Sequence, residues 1–181
     1  MRSSIKAEAL KLPSIKKYIN EEEKMSRRRR AEKRHIDPEP LYGSTLLAKF
    51  INRVMIGGNK SVARRIVYNA LEKFAKRIKA ENPLEAFEQA LENAKPALEV
   101  KSRRIGGATY QVPIEIPTNR RIAMAMGWII NHSRAKTGRS MEDGLSTELA
   151  DCFHNQGTTI KKKDDTHRMA EANKAFAHYK W

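Results

Sequence analysis

The sequence predicts a mainly α fold: a bundle of six helices with a protruding two-stranded β-hairpin arm between the third and fourth helices. Two observations predict it. Six amphipathic stretches carry apolar residues at helical spacing, each opened or closed by a capping residue, a glycine or a proline. One stretch alone, 98–116 (LEVKSRRIGGATYQVPIEI), alternates with period two on both sides of a glycine pair, the pattern of a hairpin. No internal repeat recurs, which excludes a solenoid.

The chain opens with residues 1–24, which have mixed charge and little pattern, broken by Pro13. They are expected to be a disordered extension, or a segment ahead of a true start at Met25, which is followed by SRRRRAEKR. Residues 25–41 are expected to be a basic arm and linker. Arg27, Arg28, Arg29, Arg30, Lys33 and Arg34 stand against one acid, Glu32. Like charges this dense resist folding alone and suit an arm that orders on nucleic acid. Pro38 and Pro40 end it in extended chain. Residues 42–181 are the helical domain.

Ser44 predicts the N-cap of the first helix, with the stripe Leu46, Leu47, Phe50, Ile51, Val54 and Met55, stopped by Gly57–Gly58. Asn59 or Ser61 opens the second, with the stripe Val62, Ile66, Val67, Ala70, Leu71, Phe74 and Ile78. Asn82 caps the third, with Pro83 at its first position, Glu85 in its first turn, and Leu84, Phe87, Leu91 and Ala94 facing inward. In the hairpin, glycines 106 and 107 supply the positive φ of a tight reversal. Leu98, Val100, Val112, Ile114 and Ile116 are expected to anchor its base as one apolar face. Thr118 is read as the cap of the fourth helix, whose stripe is Ile122, Ala125, Met126, Ile129 and Ile130. Ser140 caps the fifth, with Asp143 in the capping-box position and Gly157 as its stop. The sixth is predicted to start near Asp164 or Asp165 and to bury Met169, Ala172, Phe176 and Tyr179.

Charge narrows the function. The 181 residues hold 36 Lys plus Arg against 21 Asp plus Glu, a formal net charge of +15. Such an excess attracts polyanions through counterion release, whatever their sequence. The basic residues cluster in the arm, at 60–65, 101–104, 120–121, 134–139 and 161–163, while the third helix presents Glu85, Glu88 and Glu92. That segregation suits an oriented surface against nucleic acid. No apolar run approaches the roughly 20 residues of a membrane span, and no secretory h-region opens the chain. A lone cysteine, Cys152, excludes an internal disulfide framework and a cysteine-rich zinc site, and suits a reducing cytosol. It falls on an apolar stripe and reads as a small core residue. The five histidines lack metal-ligand spacing, and Gly57-Gly58-Asn59-Lys60-Ser61 lacks the first glycine of a phosphate loop. No enzyme, cofactor, metal or small-molecule substrate is expected. An architectural DNA-binding protein using the basic ribbon is the alternative to an RNA binder.

The strings SRRRRAEKR, LYGSTLLAKFINRVM, GNKSVARRIVYNALEK, NPLEAFEQALENAKP, RRIGGATYQVP and HRMAEANKAFAHYKW resemble bacterial ribosomal protein seven of the small subunit. The resemblance covers 25–181. It implies the same bundle of six helices with a hairpin arm. It further implies a cytoplasmic, ribosomal protein that binds the 3′ major domain of small-subunit ribosomal RNA and nucleates assembly of the subunit head. Its hairpin would lie near the exit-site transfer RNA and the messenger exit path, and it would contact ribosomal protein eleven. Some members also repress their own operon. Carried onto this chain, ribosomal RNA contacts are implied for the arm (Arg27, Arg28, Arg29, Arg30, Lys33, Arg34) and for Lys60, Arg64, Arg103, Arg104, Arg120, Arg121, Lys136, Lys161, Lys162, Lys163 and Arg168. The tip Arg104, Ile105, Gly106, Gly107, Ala108, Thr109 and Tyr110 would face transfer RNA. The turn IGGNK before Lys60 is less basic than the family's usual run, which weakens it as a phosphate clamp. Gly127 stands where a basic residue is common, so no RNA contact is assigned there.

Overall fold

Ser44 starts the bundle in the computed structural model, which describes residues 35–179. Its hydroxyl accepts from the backbone N–H of Leu47 at 3.3 Å, and α1 (Thr45–Val54) follows. Then come α2 (Lys60–Ile78), α3 (Pro83–Ala94), the strands β1 (Leu98–Ile105) and β2 (Ala108–Glu115), α4 (Thr118–Ala135), α5 (Met141–Phe153) and α6 (Gly157–Ala172). A 3₁₀ turn, Lys174–Tyr179, completes the described chain. The predicted basic residues 27–34 lie outside the described residues.

The core is filled by Phe50, Phe74 and Phe87 with Leu47, Leu71, Leu91, Ile129, Ile130, Leu145 and Leu149, all fully buried. Phe50 and Phe87 meet edge to face, ring centroids 5.1 Å apart, a geometry favoured by the aromatic quadrupole. Helix α5 is central and packs on α2, α3, α4 and α6. Its contact with α4 depends on Gly144: a Cβ there would lie 2.8 Å from the carbonyl oxygen of Ser133. Polar ties fix the same helix from outside. Lys73 of α2 donates to Glu142 and Asp143 at 3.3 and 2.8 Å, and Asn93 of α3 donates to the carbonyls of Cys152 and Phe153, both at 3.1 Å. Cys152 is fully buried, and burial pushes its thiol up to about 12, so it is a packing residue.

The predicted caps at Ser44, Asn82 and Ser140 are present; the Ser140 hydroxyl accepts from the Asp143 backbone N–H at 3.2 Å and donates to the Asp143 carboxylate at 2.6 Å. Several predicted details are corrected. In α2, Ala63 is buried and Val62 is 44% exposed, a rotation of the stripe by one residue at the helix start. Pro117 is the N-cap of α4, and Thr118 is its first helical residue. Gly157 opens α6 and does not close α5; Asn155, at φ 56°, makes that turn. Helix α6 therefore starts well before Asp164. Its buried residues are Thr159, Ile160, Thr166 and Ala170, while Met169 and Ala172 are exposed.

The hairpin register also revises an expectation. Ile105 pairs with Ala108 across a two-residue turn, Gly106 and Gly107, with φ 56° and 91°. Both values are positive, as a type I′ turn requires. That register puts Val100 opposite Pro113 and Lys101 opposite Val112. Directly opposed residues share a face. Leu98 and Val100 therefore lie on one face with Pro113, and Val112 and Ile114 lie on the other with Glu99 and Lys101. The predicted single apolar face is two half-faces, and the buried members are Val112 and Ile116.

Candidate nucleic-acid interface

Helix α4 organises the cationic side chains. Its N-terminus stands at the base of the hairpin and its C-terminus at the α1–α2 turn, about 27 Å away at 1.5 Å per residue. The implied RNA-contacting residues divide between these ends and α6. The described ones do not form a single cluster.

At the hairpin end, Glu99 is 6% exposed and forms the junction. Arg120 of α4 reaches its carboxylate with Nη2 at 2.8 Å and Nε at 2.9 Å, and Lys101 lies 3.1 Å away. Burial pushes this carboxyl up, but the hydrogen bonds from Arg120 and Lys101 outweigh it and hold it below the usual glutamate range. Arg121 donates from Nε to the carbonyl of Ile116 at 2.8 Å. Arg120 and Arg121 thus brace the ribbon on the bundle as well as charging its root. Beyond them Arg103 and Arg104 are exposed and, among the described residues, have no ion pair. Arg103 is directly opposite Tyr110. Further out come Ile105, Gly106, Gly107, Ala108 and Thr109, which make no contact with the bundle core.

Tyr110 ties the ribbon to the C-terminal 3₁₀ turn, in addition to its ties to α4 and α6. Its ring centroid lies 5.3 Å from that of Phe176 and 5.2 Å from that of Tyr179, and those two rings are themselves nearly parallel. Sequence reasoning assigned Phe176 and Tyr179 to a helix stripe, and the 3₁₀ turn presents them instead to the hairpin. The amide of Ala97, just before β1, donates to Nε2 of His167 at 2.9 Å, a tertiary role that no spacing rule signals.

At the other end of α4, Lys136 is 2.8 Å from Oε2 of Glu148, which is fully buried, and 3.7 Å from Asp151. It is the counter-ion of an internal carboxylate. Burial raises the Glu148 carboxyl, and hydrogen bonds from Lys136, Thr159 and Thr158 more than reverse this. Arg134 donates to the carbonyl of Val54 at 3.1 Å. Lys60 is exposed at the start of α2, and Arg64, one turn on, has its Nε buried with no hydrogen-bond partner among the described residues. On α6, Lys161 and Lys162 are exposed, Lys163 donates to the carbonyl of Asn93 at 2.8 Å, and Arg168 pairs with Asp165. Lys163 closes the end of α3 as a C-terminal cation should.

Of the implied RNA-contacting residues that are described, Lys60, Arg103, Arg104, Lys161 and Lys162 are therefore outward and without an ion pair among the described residues, while Arg120, Arg121, Lys136 and Lys163 also hold the fold. Among the described residues, no cluster of three or more His, Cys, Asp or Glu could hold a metal ion, and no helix is long and apolar enough to cross a membrane.

Comparison with known proteins gives these features a family context. A family model described as "Ribosomal protein S7p/S5e" matches residues 26–174. The chain is similar to the small ribosomal subunit protein uS7 of Protochlamydia amoebophila, at 81% identity over 157 residues, which is 87% of this chain and 100% of that protein. Proteins of the same name from Chlamydia abortus and Chlamydia trachomatis are 69% and 67% identical over the same shares of both chains.

Proposed function

The chain belongs to the ribosomal protein S7p/S5e family and is a structural constituent of the small ribosomal subunit, and from that premise we propose that it binds the 3′ major domain of small-subunit ribosomal RNA directly and nucleates assembly of the head. The observation that carries this reading is the braced ribbon. Arg120 and Arg121 hold its root on α4, and Arg103 and Arg104 extend beyond it as unpaired cations. Phosphate contacts supply the affinity, and RNA shape supplies the specificity. Lys60, Lys161, Lys162 and the basic arm 27–34 add further phosphate contacts in this scheme. The hairpin tip, from Arg104 to Tyr110, faces exit-site transfer RNA and the messenger path, and ribosomal protein eleven is a neighbour. The role is binding in the cytoplasm, without catalysis.

The test is equilibrium binding to a transcript of the 3′ major domain across a salt series. The expected result is a log–log slope reflecting on the order of 6–10 phosphate contacts, with preference over duplex DNA of equal charge. A flat salt response overturns the electrostatic account, and equal affinity for the DNA favours an architectural DNA binder.

A further inference from the structure

Ile56 is 70% exposed, the most exposed of the large hydrophobic residues described. It sits in the α1–α2 turn, on the wall of a cavity of about 370 Å³ at the far end of α4. Ile66 and Met141 share its apolar lining, and Arg134, Lys136 and Arg139 are its cations. No carboxylate lines it. The cavity beside α6 is different in kind, since Asp164, Asp165 and Glu171 line it with Lys161 and Arg168.

We propose that this cavity receives one unstacked nucleotide of the subunit's RNA, its base against Ile56, Ile66 and Met141 and its phosphate at Arg139. The proposal rests on the RNA-binding reading above and locates one contact within it. A nucleotide joins an apolar π-face to an anion, and the cavity supplies a complement to each. Arg134 is pinned across the end of α1 by its bond to the Val54 carbonyl at 3.1 Å. A guanidinium plane fixed in this way can stack on a base, as single-stranded RNA recognition commonly uses arginine. Lys136 is neutralised from behind by Glu148 at 2.8 Å, whereas Arg134 and Arg139 have no ion pair among the described residues, and Arg139 is the one not held by a backbone carbonyl there. Charge complementarity selects the occupant. An apolar protein side chain would satisfy Ile56 but would leave a cationic rim with no acid to meet it.

The test uses the full chain and the same 3′ major domain transcript. Ile56→Ala removes apolar contact without charge. It is expected to weaken binding about five- to tenfold at fixed salt, with an unchanged salt slope and an unchanged thermal melt. Arg139→Ala is expected to lower the slope by about one unit. A benzophenone-bearing residue in place of Ile56 is expected to cross-link to a single unpaired nucleotide, in the transcript and in the assembled subunit. Binding by Ile56→Ala within twofold of the unaltered protein, or cross-links to a protein or scattered along a duplex, overturns the proposal and leaves the RNA-binding reading standing. Failure of the unaltered protein to bind the transcript overturns both.

Discussion

Oε1 of Glu148, on α5, accepts both the backbone N–H and the hydroxyl of Thr159, in the first turn of α6, at 3.0 and 2.7 Å. The hydroxyl of Thr158 joins them at 2.9 Å. A carboxylate from one helix thus caps the N-terminus of the next, where the helix dipole favours negative charge. Lys136, at 2.8 Å, balances it from the end of α4.

Removing that carboxylate uncaps α6 and leaves the half-buried Lys136 with Asp151, 3.7 Å away, as its remaining partner. Glu148→Ala is expected to cost about 2–3 kcal/mol in urea unfolding, from the lost cap and the lost charged hydrogen bonds. Glu148→Gln keeps an acceptor and is expected to cost less. The pH dependence has a definite sign. The folded-state carboxyl lies below its ordinary range, so its contribution is complete above the unfolded value and disappears as pH falls through the folded one. The Gln variant should therefore lose stability less steeply on the acid side than the unaltered protein.

Two glycines in neighbouring helices should respond oppositely to alanine. At Gly144 the new Cβ would stand 2.8 Å from the backbone oxygen of Ser133, so α4 and α5 must separate. Overpacking of that kind costs about 1–3 kcal/mol, more than the roughly 1 kcal/mol of helix propensity gained. At Gly127 the new Cβ meets the guanidinium of Arg53, with Nη2 at 2.7 Å, Cζ at 3.3 Å and Nε at 3.4 Å, the far end of a flexible side chain. Gly127→Ala is expected to be neutral or to stabilise by up to about 1 kcal/mol. Denaturation midpoints of the two variants give the comparison.

The hairpin turn sets a narrower test. Gly106 at φ 56° suits asparagine, and Asn-Gly is a favoured type I′ pair, so Gly106→Asn should be nearly neutral. Gly107 at φ 91° does not suit a β-branched residue. Gly107→Val is expected to raise hydrogen exchange at the amides of the tip by an amount equivalent to about 1–2 kcal/mol. The global melt should hardly move, because the tip makes no core contact.

Deleting residues 25–34 removes six cations. Binding to the ribosomal RNA transcript is expected to weaken about tenfold or more near 0.1 M salt, with a reduced salt slope. Calorimetry should show the bundle melting almost where it did. A comparable loss of thermal stability would make the arm a structural element.

What the sequence reveals depends on how far apart the interacting residues are. The caps at Ser44, Asn82 and Ser140 act within three residues, and local spacing predicts all three. The start of α6 is set by Glu148, 11 residues before Thr159 and on another helix. Local reasoning instead selects Asp164 and Asp165, ordinary capping residues that here lie inside the helix. The hairpin's faces fail for a related reason: alternation gives each strand its parity, but only the two-residue turn says which parities coincide. Among the cations, sequence gives sign and no direction. Lys136 and Lys163 turn inward to Glu148 and the Asn93 carbonyl, while Arg103 and Arg104 face out.

Tyr110 seated against Phe176 and Tyr179 imposes an order in time. During synthesis the ribosome releases both strands of the ribbon, and its root on α4, before those two rings exist. The nascent ribbon can pair, brace on α4 and then meet α6, but its aromatic contact comes last. That contact waits for residues 174–179, so a chain stopped at Ala172 would carry a finished bundle and a ribbon held by α4 and α6 alone.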